Sequence, residues 1–421
     1  MSKEFHIKAP KGVIDRIVKI AHRYTDQETG APAYLKSILL EANDDGLLTV
    51  TSESQYSAIK IEHQEDIEVL VPGQLMVQAN WLVTALDTVQ PDESVEIFYD
   101  KDGKDHRIHL NNVDMLPPIT GERALLPSVG EPDLDNGIKM APEEFVDTYL
   151  TASVGRSSQA SKPILQGVFA ETSVEDGLFR MMSFDALISV TDAVEAEILG
   201  EGAGGMIFKD DSVRASLDHI KQGNSVQIHR DKDDRVHVLV KGKEDAMPYH
   251  IRVATLDYPI EKYPSAKVRQ SLSKFPAQIG FHASVDKAEL LRIMRNSANI
   301  GSLDINNIGG QAKYVQVAIQ DNELTSSVLT DASYEESIPV DIVDADNPDI
   351  QFKFPYGTSG HLFEWYHNQN DPQNIQMAFL IKEGAEDPHG IILYKDSIYK
   401  DESNEELSEY FCVTSVSRVK R

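Results

Sequence analysis

Apolar positions along this chain switch between two periods, and the switch recurs. Phe5-His6-Ile7-Lys8 alternates as a half-buried strand does. Val13, Ile17, Ile20 and Tyr24 then fall within one arc at 100° per residue, which predicts an amphipathic helix over 13–24. Leu35 to Ala42 and Leu47 to Ser52 flank Asn43-Asp44-Asp45-Gly46, a hairpin with an Asp-Gly turn. A further strand leads to a second helix, 77–89, and then to the strand Ser94 to Tyr99.

The same order returns twice. Gly137 to Met140 precedes a helix over 143–154, a hairpin 165–171/178–183 across Glu175-Asp176-Gly177, a helix over 210–221 and a strand 225–230. Gln278 to His282 precedes a helix over 285–298, a hairpin 314–319/324–329 across Gln320-Asp321-Asn322-Glu323, a helix over 359–368 and a strand 374–381. Between the first two copies the residues themselves repeat at a single offset of 131. Asp45-Gly46-Leu47 becomes Asp176-Gly177-Leu178, Leu86-Asp87 becomes Leu217-Asp218, and Ser94-Val95-Glu96-Ile97 becomes Ser225-Val226-Gln227-Ile228. A unit this long is the size of a domain, whereas solenoid repeats run roughly 20–50 residues. Two helices per unit on strands that pair with sequence neighbours give an α+β layer with antiparallel sheet. Connectors rich in Pro, Gly and charge, 121–136 and 262–276, divide the chain into expected domains at 1–130, 137–265 and 276–421.

Composition narrows the function classes. The formal net charge is −28, with acid concentrated in stretches such as 341–349 and 383–409. Taken alone this argues against nucleic acid, so where the positive charge sits matters more than the total. A lone Cys412 excludes an intrachain disulfide and fits a reduced cytoplasmic protein. No run of about 18 apolar residues predicts a membrane span, and the first residues lack the apolar stretch of a signal peptide. Gly200-Glu201-Gly202-Ala203-Gly204-Gly205 satisfies G-x-G-x-x-G, but a dinucleotide site needs a helix to open there. Met206-Ile207-Phe208 reads as extended instead, so a surface turn is expected. His361 and His367 stand six apart and share no helix face, and 344–349 lacks the glycine and glutamate of a calcium loop. No metal, cofactor or catalytic residue is expected. A nucleotide-dependent enzyme built on the glycine turn stays open as an alternative, as does a non-catalytic interaction scaffold.

The first helix of each unit carries the remaining signal. Arg16, Lys19 and Arg23 lie within about 60° of one another on a flank of the apolar arc. Arg292 and Arg295 are side by side on the third unit's helix. In the second unit Arg156 and Lys162 follow the helix, and Arg214 lies on its second helix. Positive charge held on helices while acid goes elsewhere makes a segregated field able to hold a polyanion without reading its sequence.

Three α+β units, each with two helices, basic helix faces and an acidic remainder together resemble the DNA sliding clamp of the bacterial DNA polymerase III beta subunit type, in a divergent or phage-like form. Lys162-Pro163-Ile164-Leu165-Gln166-Gly167-Val168-Phe169-Ala170-Glu171 resembles that family's basic–Leu–polar–Gly–apolar–Phe–Glu segment. Ser183-Phe184-Asp185-Ala186-Leu187-Ile188 stands where the family has Thr-Asp-Gly-His-Arg-Leu, and Leu256-Asp257-Tyr258-Pro259 matches its aromatic-proline pair. The resemblance implies a head-to-tail homodimeric ring of six domains with helices lining the hole. It implies duplex DNA inside the ring, a DNA polymerase and a clamp-loader ATPase as partners, and no membrane. The phosphate-facing candidates are Arg16, Lys19, Arg23, Arg156, Lys162, Arg214, Arg292 and Arg295. A partner-peptide groove carried over from the family would involve Phe184, Ala186, Leu187, Pro259, Val413 and Val416. The tail 413–421 lacks the family's proline and adds Arg418, Lys420 and Arg421.

Overall fold

The computed structural model describes residues 5–99, 107–115, 125–157, 159, 161–185, 188–242, 247–301, 314–329, 333–345, 348–355, 373–394, 411–415 and 417–418. The predicted third-unit helix over 359–368, with His361 and His367, lies outside these residues.

Each unit begins with a strand and a helix: α1 (Lys11–His22), α3 (Pro142–Ser153) and α7 (Lys287–Gly301). In α1 the residues Ile14, Ile17, Val18 and Ala21 are buried, a spacing that places them on one face. Their counterparts Phe145, Thr148, Tyr149 and Ala152 are buried on α3. Val285, predicted to start the third helix, lies within the strand Ile279–Asp286 instead. Val77 likewise belongs to the strand Gly73–Gln78, so α2 spans Ala79–Asp87. The second unit's counterpart is two short helices, α4 (Asp210–Arg214) and α5 (Leu217–Lys221), rather than the single helix predicted.

Four antiparallel sheets back these helices. Two are nine-stranded and two five-stranded. The Asp-Gly hairpins form as predicted, with Gly46 and Gly177 at positive φ (81° and 67°), a region open to glycine at no steric cost. One five-stranded sheet belongs to the first unit and runs from Glu68–Val71 to the edge strand Val113–Met115. The other belongs to the third unit and ends on Ser333–Pro339.

The nine-stranded sheets cross the unit junctions. Tyr249–Val253 pairs antiparallel with Ala58–His63, putting Ile251 opposite Ile59. Phe411–Ser415 pairs the same way with Ile188–Glu195, putting Val413 opposite Ser189. Both junctions pair a strand near the end of one unit with the strand after the hairpin in the unit before. The cores follow the sheets. One apolar cluster runs through the first and second units, and a second takes Val154, Ile188 and Val190 into the third unit's core.

The connectors differ from expectation. Residues 125–136 run as coil pinned to the sheet: Arg252 donates to Glu53 Oε1 at 2.6 Å and to the Ser128 carbonyl at 3.2 Å. The segment 262–276, predicted to be a linker, contains α6 (Ser265–Leu272). Gly200, Gly202 and Gly204 all have positive φ in a turn that enters the strand Gly205–Phe208, so no helix N-terminus meets that glycine run.

Candidate nucleic-acid interface

Helices of neighbouring units abut. Tyr24, just past α1, is buried and donates its hydroxyl proton to Ser216 Oγ at 2.9 Å, between α4 and α5. Its ring lies 6.3 Å from that of His219, which in turn lies 5.6 Å from Tyr249. Arg16 reaches Gln222 Oε1 at 3.4 Å across the same joint. The exposed helix faces of the first two units therefore form one continuous surface, and the predicted cations can be placed on it.

Arg16, Lys19 and Arg23 are exposed on or just beyond α1, and Arg292 and Arg295 are exposed on α7. They are not equivalent. Lys19 Nζ pairs with Asp15 at 2.9 Å and Asp87 at 3.5 Å, and the hydrogen bond to Asp15 raises its pKa above the ordinary value. Arg292 donates to Glu289 at 2.6 Å and also pairs with Glu336. Those two hydrogen bonds hold its guanidinium pKa above the usual range. Among the described residues Arg16, Arg23 and Arg295 make no ion pair.

Arg156 and Arg214 converge on one carboxylate. Arg156 lies 2.9 Å from Asp210 Oδ2, and Arg214 Nε lies 2.9 Å and 3.0 Å from the two Asp210 oxygens. Tyr149, buried beneath, donates to Asp210 Oδ1 at 2.8 Å. Desolvation and the Asp210 charge push that phenol far above its ordinary pKa. Asp210 is 11% exposed at its side chain, so these arginines first neutralise a nearly buried acid. Lys162 is half-buried ahead of the turn Pro163–Gln166.

The predicted peptide groove is partly visible. Phe184, half-buried at the end of Leu178–Phe184, packs with Ile164, Leu256 and Ile260 on a cluster of Leu165, Phe169, Met182, Ile207, Tyr263 and Val268. Tyr263 stacks on Phe169 at 5.0 Å, and Val268 comes from α6. Pro259 is exposed at the head of the turn Ile260–Lys262. The Val413 backbone pairs between Ser189 and Ile392. Ala186, Leu187 and Val416 lie outside the described residues.

Two features escaped sequence reasoning. A buried serine stands behind each first helix. Ser52 Oγ donates to the Ala21 carbonyl at 2.6 Å, Ser183 Oγ donates to the Ala152 carbonyl, and Ser326 Oγ meets Ser297 Oγ at 2.6 Å. Ser52 and Ser183 share the 131 offset and could have been found by it. The second feature is an open pocket of about 500 Å³ lined by Trp81, Thr84, Ala85, Thr88, Val113 and Met115 together with the ion pair Arg107–Asp114 (3.6 Å), with Trp81 44% exposed. It sits against the free edge of the first unit's five-stranded sheet. Among the described residues no group of His, Cys, Asp and Glu could hold a metal, and no helix is long and apolar enough to cross a membrane.

No family model matches the chain, and no curated protein matches it. Solved structures do. The beta subunit of DNA polymerase from Streptococcus pyogenes superimposes with a TM-score of 0.73 at 15% identity, covering 98% of this chain and 100% of that one. The beta sliding clamp of C. crescentus gives 0.75 at 14% identity, covering 99% of each chain. The DNA polymerase III beta subunit of Thermotoga maritima gives 0.71 at 12% identity, covering 99% and 100%. The chain thus has the full-length, three-domain fold of bacterial DNA polymerase III beta sliding clamps, at an identity that marks it as divergent.

Proposed function

We propose that this protein is a DNA sliding clamp: a non-catalytic processivity factor that closes around duplex DNA and tethers a DNA polymerase without reading sequence. The observation that carries this reading is the end-to-end correspondence with clamps combined with exposed cations on the first and third units' helices of a chain at −28. Retention in a closed ring is topological, so a few phosphate contacts suffice and strong base contacts would stop sliding. The domains are then 1–130, 137–265 and 276–421, and the working form is a head-to-tail homodimer. The glycine-turn enzyme reading loses its support because a strand follows the turn.

The repeat supports a residue-level closure. Both junctions inside the chain pair a strand near a unit's end with a post-hairpin strand of the unit before. One strand of each kind is left over at a sheet edge, Val113–Met115 and Ser333–Pro339. In the ring, each of these edges meets the other kind on the partner protomer, a heterologous contact whose rotation closes. The Trp81 pocket then matches the place where Tyr24 enters the second unit, since Ala85 and Thr88 correspond to Ser216 and His219 at the 131 offset. Ile300, thirteen positions after the start of α7 as Tyr24 is after the start of α1, is the residue that fills it.

Polymerase and clamp-loader ATPase dock, in this reading, on the surface formed by Phe184, Ala186, Leu187, Pro259, Val413 and Val416. Leu187→Ala and Pro259→Ala should weaken polymerase capture without unfolding the protein, and normal capture by both would remove the groove. The decisive experiment loads the protein on a nicked circular plasmid with a cognate loader. Retention that vanishes when the plasmid is linearised supports the clamp. Equal behaviour on circular and linear DNA would instead favour a scaffold of the same fold with no topological role.

A further inference from the structure

We infer that the duplex rides on two basic arcs, one at each joint between protomers, and is held off the middle unit of each chain. The inference rests on the ring reading and adds to it which helices touch DNA. α1, α3 and α7 are the same element in three copies, with matching burial, so positions can be compared directly. Where α1 exposes Arg16 and α7 exposes Arg292, α3 exposes Asp147. At the position of Lys19 and Arg295, α3 has half-buried Leu150. The other exposed residues near the start of α3 are Glu143 and Glu144, and α3 carries no basic side chain.

The rest of the second unit does not restore the balance. Its two predicted phosphate-facing arginines, Arg156 and Arg214, are drawn onto Asp210. Asp211 and Asp218 stand exposed on α4 and α5 beside exposed Lys221. Lys209 Nζ sits 3.1 Å from the centre of the Tyr56 ring, where the cation is already engaged. Of the predicted arginines, Arg16 and Arg23 in the first unit and Arg295 in the third make no ion pair among the described residues. Head-to-tail closure places the third unit of one protomer beside the first unit of its partner. Arg295 of one chain and Arg16 and Arg23 of the other then flank one joint, and the ring has two such joints. Between them an acidic α3 repels phosphate across roughly one Debye length, about 8 Å at physiological salt.

The test uses the full chain with Cys412→Ser and one new cysteine at a time, K19C, L150C or R295C, each carrying a short photo-activatable aryl azide. Rings are loaded on a nicked circular duplex and irradiated. The expected result is DNA crosslinking at positions 19 and 295 at least fivefold above position 150. Equal yields at all three positions, or a maximum at 150, would overturn the inference while leaving the clamp intact. Failure of the unlabelled protein to stay on circular DNA would overturn the ring reading itself and this inference with it. As a second readout, Arg295→Gln should lower the slope of log retention against log salt by about 1 for each phosphate it no longer neutralises, and an unchanged slope counts against the arc.

Discussion

At the scale of single residues, the buried polar groups divide into those that serve charge and those that avoid it. Asp210 holds two arginines and a tyrosine. Asp210→Asn removes the charge that pairs Arg156 and Arg214, and the expected loss is about 1–3 kcal/mol in urea unfolding, since both guanidinia can turn partly to water. The His237–His250 pair avoids charge. Asp231 Oδ2 accepts from His237 Nε2 at 3.2 Å, so His237 Nδ1 accepts from His250 Nε2 at 2.9 Å, and both rings are neutral. Burial pushes His250 down to about 3, with His237, Lys60, Arg252 and His229 adding to it. Burial also lowers His237, against the opposing pull of Asp231. Both folded pKa values lie below the unfolded value near 6.5, so the unfolded chain takes up protons first. Stability is therefore full above about pH 7 and falls as pH drops from 6.5 towards 3, by about 2 kcal/mol at pH 5 from His250 alone. Urea unfolding across that range should show this slope, and His250→Gln should flatten it.

At the scale of elements, a buried serine behind α1 and behind α3 reaches a helix-end carbonyl from outside the helix. Ser52 donates to the Ala21 carbonyl, which also accepts from Tyr24 N–H at 3.0 Å, and Ser183 donates to the Ala152 carbonyl. Ser52→Ala should cost about 1 kcal/mol, read as a shift of the denaturation midpoint with unchanged m-value. Elements were legible in the sequence where one face is buried and period decides. The alternation of Ser94–Tyr99 and the arc of α1 were both read correctly. Boundaries failed where sheet register overrides helical period: Val77 and Val285 fit a helical arc but are strand residues. The single helix predicted over 210–221 breaks because Ser216 bonds back to the Ser212 carbonyl and receives Tyr24 from another unit. Helix α6 was missed because it is short, and Val268, its one buried anchor among the described side chains, sets no period. The basic face was legible as composition on a helix. The pairing of Arg292 with Glu336 and of Arg156 with Asp210 was not, because those acids come from other elements. Glu289 and Asp210 stand at i−3 of Arg292 and i−4 of Arg214, and those pairs follow from helix spacing.

At the scale of the whole molecule, the three units share sheets but not a single core. Where two units meet inside the chain, strand pairing and apolar packing are continuous. In the proposed ring the closing contact between protomers needs the same two ingredients, and the apolar part of the Trp81 pocket, beside Arg107 and Asp114, supplies the second. Ile300→Asp puts a charge into that pocket. It should convert the dimer to a monomer at micromolar concentration in sedimentation, with the fold intact by circular dichroism. A dimer unchanged by this substitution would move the interface elsewhere. At least about 2 kcal/mol per joint is expected from losing a buried anchor.

Chain connectivity turns this geometry into a gate. The joints within the chain pair strands of one polypeptide, Tyr249–Val253 on Ala58–His63 and Phe411–Ser415 on Ile188–Glu195, whereas the edge Val113–Met115 is left for a partner protomer. A joint between two protomers has no covalent link to hold it while its ladder bonds, worth about 1 kcal/mol each, are broken. In the proposed ring, the place that parts to admit a closed circle of DNA is therefore the joint between chains, and a loader need only lever there. Hydrogen exchange on the loaded ring should find the amides of 113–115 opening faster than those of 249–253. Equal protection would mean that the ring has no preferred seam.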